Sequence, residues 1–91
     1  MKKRYRLTAQ ADESLQEIYY YTYLTFGQRQ ADRYLLELEA VFERIGDFPE
    51  IGSPHLAQTR RLVHGKHVII YRADTASAVT IIQVFHGSRR R

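Results

Sequence analysis

Residues 11–46, ADESLQEIYYYTYLTFGQRQADRYLLELEAVFERIG, hold two helical stripes separated by a single glycine. In the first half Ala11, Leu15, Ile18, Thr22 and Phe26 recur at steps of four, three, four and four residues. That spacing keeps them on one side of a helix. Just upstream, Thr8 suits an N-cap, and Asp12 and Glu13 lie near the positive end of the helix dipole. In the second half Ala31, Tyr34, Leu35, Leu38, Val41, Phe42 and Ile45 form the apolar face of a helix from about Gln28 to Ile45. Gly27 is expected to stop the first helix and Gly46 the second, with Pro49 keeping the second from resuming. Two helices joined across one residue make an antiparallel hairpin.

The flanks read differently. Lys3 to Leu7 alternate charged and bulky side chains, the mark of a short strand. Phe48 to Pro54 is a loop by its proline and glycine content. Arg60 to His64, His67 to Arg72 and Ala78 to His86 then read as three strands. Gly65-Lys66 and Asp74 to Ser77 are the turns between them. The expected order is β-α-α-β-β-β in one domain spanning 1–91. Its class is α+β, with a helical hairpin on a small, mainly antiparallel sheet. Val68-Ile69-Ile70-Tyr71 and Ile81-Ile82 are apolar at consecutive positions, which calls for cover on both faces of the sheet. Two helices cover one face; the other is left exposed, shielded by a loop or by long Arg and Tyr side chains, or covered by another chain, and cover by a partner is the favoured expectation.

Composition narrows the function. The 91 residues include no cysteine, so disulfides and cysteine-based zinc sites are excluded. The start, Met1 to Arg6, is charged and lacks the apolar run of a signal peptide. No stretch approaches the length of a membrane span, and a cytoplasmic location is expected. The net charge of +4 is unevenly spread. Leu7 to Ile51 holds nine acidic and three basic residues, a balance of −6. The remainder holds one acidic residue, Asp74, and eleven basic ones, a balance of +10. Such asymmetry points to an acidic partner surface or a nucleic acid.

Several pieces, taken in order, resemble the ParE toxins of the RelE/ParE superfamily. They are Tyr5-x-Leu7-Thr8-x-x-Ala11, Ile18 with the tyrosines after it, Phe26-Gly27, Gln30-Ala31 and Tyr34-x-x-x-Leu38. Pro49-x-x-Gly52, Arg61, His67-x-Ile69-x-Tyr71 and the ending Val84-Phe85-His86-Gly87-Ser88-Arg89 complete the pattern. The resemblance implies the toxin half of a type II toxin–antitoxin pair, neutralised in a hetero-oligomer by a cognate ParD-like antitoxin. It also implies one of two mechanisms. RelE-like members cut mRNA; ParE-like members poison DNA gyrase by binding.

The residues favour binding. Metal-free RNA cleavage needs a base, a phosphate-stabilising cation and an acid. His86 as acid or base, Arg61 as phosphate clamp and Tyr71 as second proton carrier are the candidates. Yet Val68 stands where ribonuclease members of the superfamily often carry arginine. His64, His67 and His86 lack a carboxylate partner beyond Asp74, so no metal site is expected. Nor is any cofactor, since the glycines occur singly and form no phosphate-cradling loop. The target-binding residues expected are Arg61, His86 and the terminal Arg89, Arg90 and Arg91. The antitoxin is expected on Tyr20, Tyr23, Ile69 and Tyr71, since Tyr19, Tyr20, Tyr21 and Tyr23 span too much of a helix all to be core.

Overall fold

The computed structural model describes residues 4–74 and 78–88. Strand β1 (Tyr5–Leu7) leads into helix α1 (Ala9–Phe26), then helix α2 (Gln28–Asp47). A 3-10 turn (Pro49–Ile51) and a two-residue strand β2 (Ser53–Pro54) follow. After a second 3-10 turn (Leu56–Gln58) come β3 (Arg60–His64), β4 (His67–Ala73) and β5 (Val79–His86). The five strands form one sheet in the order β1-β5-β4-β3-β2. Only β1 runs parallel to its neighbour; the other pairings are antiparallel. The α+β layout of hairpin on sheet is as expected.

Thr8 joins the first strand to the first helix. Its hydroxyl accepts the Ala11 N–H at 3.0 Å as an N-cap and donates to the Ile82 carbonyl at 2.8 Å. One side chain thus closes α1 and anchors it to β5. Gly27 ends the helix at φ 97°, which a side chain would strain. Its N–H donates to the Tyr23 carbonyl, and its own carbonyl accepts from Ala31, so the chain reverses within one residue.

Gly46 does something other than what its sequence position suggests. α2 runs through it to Asp47. A Cβ there would lie 2.7 Å from the Arg4 carbonyl oxygen. The glycine therefore lets α2 approach the chain just before β1. β2 is a further departure, within the segment expected to be loop: Ser53 and Pro54 pair with Arg61 and Arg60. Lys3 and the tip of the β4–β5 turn, 75–77, lie outside the described residues.

The core lies between the hairpin and the sheet. Leu15, Leu38, Phe42 and Ile45 from the helices meet Tyr5, Ile69, Tyr71, Val79, Ile81 and Val84. Tyr5 and Phe42 pack edge to face at 5.3 Å. A register shift between Ile70 and Tyr71 leaves Ile82 as an extra residue in β5, so Ile81 and Val84 both face the core.

The opposite face of the sheet corrects one expectation. Val68 and Ile70 are only 3% and 8% exposed, so the chain itself covers them. The large exposed apolar side chains lie mostly elsewhere. Tyr20, Tyr21, Tyr23, Leu24 and Phe26 crowd the second half of α1. Phe26 belongs to the stripe by spacing, yet at the last turn of α1 it is exposed.

Candidate functional site

β1 pairs with β5 only from Val79 to Ile81. Beyond that the edge of β5, Gln83 to His86, has no strand on its outer side among the described residues. α1 lies alongside instead. Between them is a groove of about 790 Å³. Ile18, Tyr21 and Phe26 form its apolar helical wall, and Glu17 and Gln30 its polar rim. Lys66, His67 and His86 bound it at the sheet end.

That end holds a row of side chains drawn together by sheet register. His64 pairs with His67, and His67 with His86, across β3, β4 and β5. Tyr34 of α2 sits over them. Its hydroxyl lies 2.7 Å from His67 Nδ1, and its ring packs against His64 at 6.0 Å. Burial, then the charge of Glu37, pushes the Tyr34 phenol above its ordinary pKa, so it stays protonated and available as a donor. Glu37 Oε1 lies 3.5 Å from His64 Nε2. His86 meets the His67 ring edge to face at 5.6 Å. Its Nδ1 is 2.7 Å from the Ser88 hydroxyl. The row stitches α2 to three strands at the mouth of the groove. The Gly65-Lys66 turn makes His64 and His67 legible as neighbours in the sequence. Tyr34 and His86 join them only through the hairpin placement and the β4–β5 register.

The expected catalytic trio does not assemble. Arg61 and His86 sit on opposite faces: Leu62 next to Arg61 packs on the core, whereas His86 pairs with the core-side His67. They are also two strands and three residues apart, about 14 Å by sheet geometry. Tyr71 is 0% exposed. Its hydroxyl donates to the Pro49 carbonyl at 2.6 Å and accepts the Gly52 N–H at 2.9 Å. Burial raises its pKa, partly offset by the Gly52 N–H and Arg60. A phenol with both roles taken is a tether for the loop before β2, not a proton carrier. Among the described residues, no three His, Asp or Glu group so as to hold a metal ion.

The other expected site residues divide. Ile69, like Tyr71, is 0% exposed and belongs to the core, so neither offers surface to a partner in this conformation. With β4 apolar at consecutive positions, alternation turns Ile69 and Tyr71 toward the helices and Val68 and Ile70 to the other face. Tyr20 and Tyr23 are exposed on α1, with Tyr23 stacked on Tyr19 at 6.5 Å. Tyr21, not singled out by sequence, lines the groove. Arg61 is exposed on β3, while its neighbour Arg60 donates to the Gly52 carbonyl at 2.6 Å. Arg89, Arg90 and Arg91 lie outside the described residues.

Comparison with known proteins accords with this architecture. Residues 5–91 match the family model of the ParE toxin of type II toxin–antitoxin system, parDE. The chain is 38% identical to Toxin ParE1 of Caulobacter vibrioides over 89 residues, 94% of this chain and 91% of that protein. It is 33% identical to Toxin ParE1 of Mycobacterium tuberculosis over the same shares of each chain. Among solved structures, the chromosomal ParDE system from P. aeruginosa superposes with a TM-score of 0.76 at 13% identity, covering 92% of this chain and 95% of that one. The RelBE2 toxin–antitoxin complex of M. tuberculosis gives 0.63 at 22% identity, covering 94% and 99%. At these identities the two structures speak to the fold alone.

Proposed function

The chain belongs to the ParE toxins of type II toxin–antitoxin systems, and from that premise we propose that it inhibits DNA gyrase by binding. A cognate ParD-like antitoxin holds it inactive in a hetero-oligomer. The observation that carries the binding mode is the separation of Arg61, His86 and Tyr71 onto different faces and into the core. With the expected cation, base and acid not converging on one point among the described residues, a docking role fits the geometry better than RNA cleavage by that trio. Val68 adds to this, because it is a buried aliphatic side chain at the position where ribonuclease members of the superfamily often carry an arginine that can stabilise phosphate charge.

The antitoxin occupies the groove between α1 and β5. An extended segment there can pair with the free edge of Gln83 to His86, giving affinity through main-chain hydrogen bonds. Its apolar side chains rest on Ile18, Tyr21 and Phe26. A helix of the same partner covers the exposed Tyr20, Tyr23 and Leu24. The gyrase contacts are assigned to Arg61, His86 and the terminal Arg89 to Arg91. The complex works in the cytoplasm, where gyrase and its DNA are found; neither helix is long and apolar enough to cross a membrane.

The test uses the purified chain with gyrase and relaxed plasmid, and in parallel with a translating extract. Loss of supercoiling with intact mRNA is the expected outcome. Site-specific mRNA cuts with normal supercoiling would refute it. Removing residues 88–91 is expected to weaken gyrase inhibition more than antitoxin binding; equal loss of both would reassign the tail to the fold.

A further inference from the structure

The sheet face turned away from the helices carries three arginines from three strands. On β1, Arg6 lies between the buried Tyr5 and the core-packed Leu7 and so points outward. On β4, Arg72 follows the buried Tyr71, and on β3 Arg61 lies between Arg60 and the core-packed Leu62. Alternation puts all three on the same side. The Arg6 and Arg72 side chains are 68% and 51% exposed.

Asp74 organises two of them. Its Oδ2 accepts from Arg6 at 2.9 Å and from the Thr80 hydroxyl at 2.7 Å, and its Oδ1 lies 3.6 Å from Arg72 Nε. One carboxylate thus holds two guanidinium groups side by side across the sheet and neutralises only one of them. The Arg61 guanidinium makes no hydrogen bond or ion pair within the described residues. The acidic residues of the chain other than Asp74 all lie between Asp12 and Glu50, chiefly on the helices. The two faces of the molecule therefore differ in charge.

We infer that this arginine face binds the phosphate backbone of duplex DNA directly, without gyrase. Arginine–phosphate pairing positions a protein on a duplex without reading sequence, and two guanidinium groups held by Asp74 with a third, exposed one on the same face are suited to that. Single-stranded RNA is the poorer fit. Its recognition relies on exposed aromatic rings for base stacking. The aromatic ring on this face, Phe85, is half-buried, and the exposed tyrosines are on α1. A DNA-contacting face would orient the chain on the nucleic acid that gyrase holds, yet the inference stands or falls on DNA alone.

The test measures fluorescence anisotropy of a labelled 20-base-pair duplex with the purified full chain and no gyrase, across a salt series. The variants are Arg61→Ala and Arg61→Ala with Arg72→Ala, each checked for an unchanged thermal midpoint. Removing one arginine–phosphate pairing should weaken affinity roughly eightfold at 0.1 M salt and lower the salt slope by about 0.9. The double variant should therefore bind roughly sixtyfold more weakly. Unchanged affinity and slope in the double variant would overturn the inference. So would equal competition by single-stranded RNA of the same length. A chain ending at Ser88 should retain part of the binding and its dependence on Arg61; complete loss there would move the site to the tail. Gyrase inhibition is measured separately, so a failure of DNA binding leaves the gyrase reading to its own experiment.

Discussion

The two ends of β4 and β5 are built from similar residues and finished in opposite ways. Near the start of β3, Tyr71 points into the core, and its hydroxyl ties down both Pro49 and Gly52. Arg60 caps the same loop through the Gly52 carbonyl. The polar groups that hold this loop find their partners inside the chain. At the far end, β5 runs past the reach of β1, and a groove takes the place of a strand. Tyr34 again reaches from one element to another, but it spans a row of partly exposed histidines at an open mouth. Tyrosine closes one end and borders the other. Residue type alone does not distinguish the two ends; what differs is whether neighbouring backbone is already paired within the described residues.

Removing the closure entirely should have the largest effect. Tyr71→Ala deletes a fully buried ring and both of its hydrogen bonds, and a loss of about 3–5 kcal/mol is expected by chemical denaturation. Tyr71→Phe separates ring from hydroxyl. It leaves Pro49 and Gly52 without their partner, at a cost of about 1–3 kcal/mol. Gly52→Ala attacks the same contact from the other side, because a Cβ would lie 2.7 Å from the Tyr71 hydroxyl and 2.9 Å from the Arg61 carbonyl. Crowding of this kind costs about 1–3 kcal/mol.

The open end should respond in reverse. Tyr21→Ala is expected to change stability by less than about 0.5 kcal/mol. It should nevertheless cost about 2 kcal/mol in antitoxin binding measured by calorimetry, as a central aromatic contact does. A large stability loss with unchanged binding would make Tyr21 a core residue and erase the contrast between the two ends.

The smallest effect concerns Asp74. The Thr80 hydroxyl and the Arg6 guanidinium hold its carboxyl below the usual value of 3.8. Its pKa is lower folded than unfolded, so its contribution is fully present above the usual value. That contribution fades as pH falls below 3.8 through the folded pKa. Thermal midpoints measured through that window should fall more steeply for the native chain than for Asp74→Asn. Parallel curves would mean that the cluster adds nothing to folding.

Much of this molecule is legible in its sequence, and the illegible parts share a cause. The hairpin is readable because Leu15, Leu38, Phe42 and Ile45 repeat at helical spacing, and Gly27 marks the reversal. β4 and β5 are readable from dense β-branched runs, and the short β3 from its place before the Gly65-Lys66 turn. Gly46 is not, because its purpose is the approach of Arg4, forty-two positions away in sequence. The inward direction of Ile69 and Tyr71 depends on which face the hairpin covers. The histidine row needs the pairing of three strands, and the groove needs the early end of β1 against β5. Each of these is a relation between distant segments, which periodicity within a segment does not record. The exposed tyrosines are half legible: a run too wide for one buried stripe has to leave some outside, but only the helix placement separates Tyr21 at the groove from Tyr19, bonded to Asp32.

Amide hydrogen exchange of the chain, alone and bound to its antitoxin, tests the contrast between the two ends most directly. Exchange reports opening and pairing of individual backbone segments. Antitoxin binding should slow exchange along Gln83 to His86 and through the second half of α1, while leaving Pro49 to Pro54 nearly unchanged. Protection appearing instead at β2 and its loop, with Gln83 to His86 exchanging as before, would contradict the assignment of the groove as the antitoxin's seat.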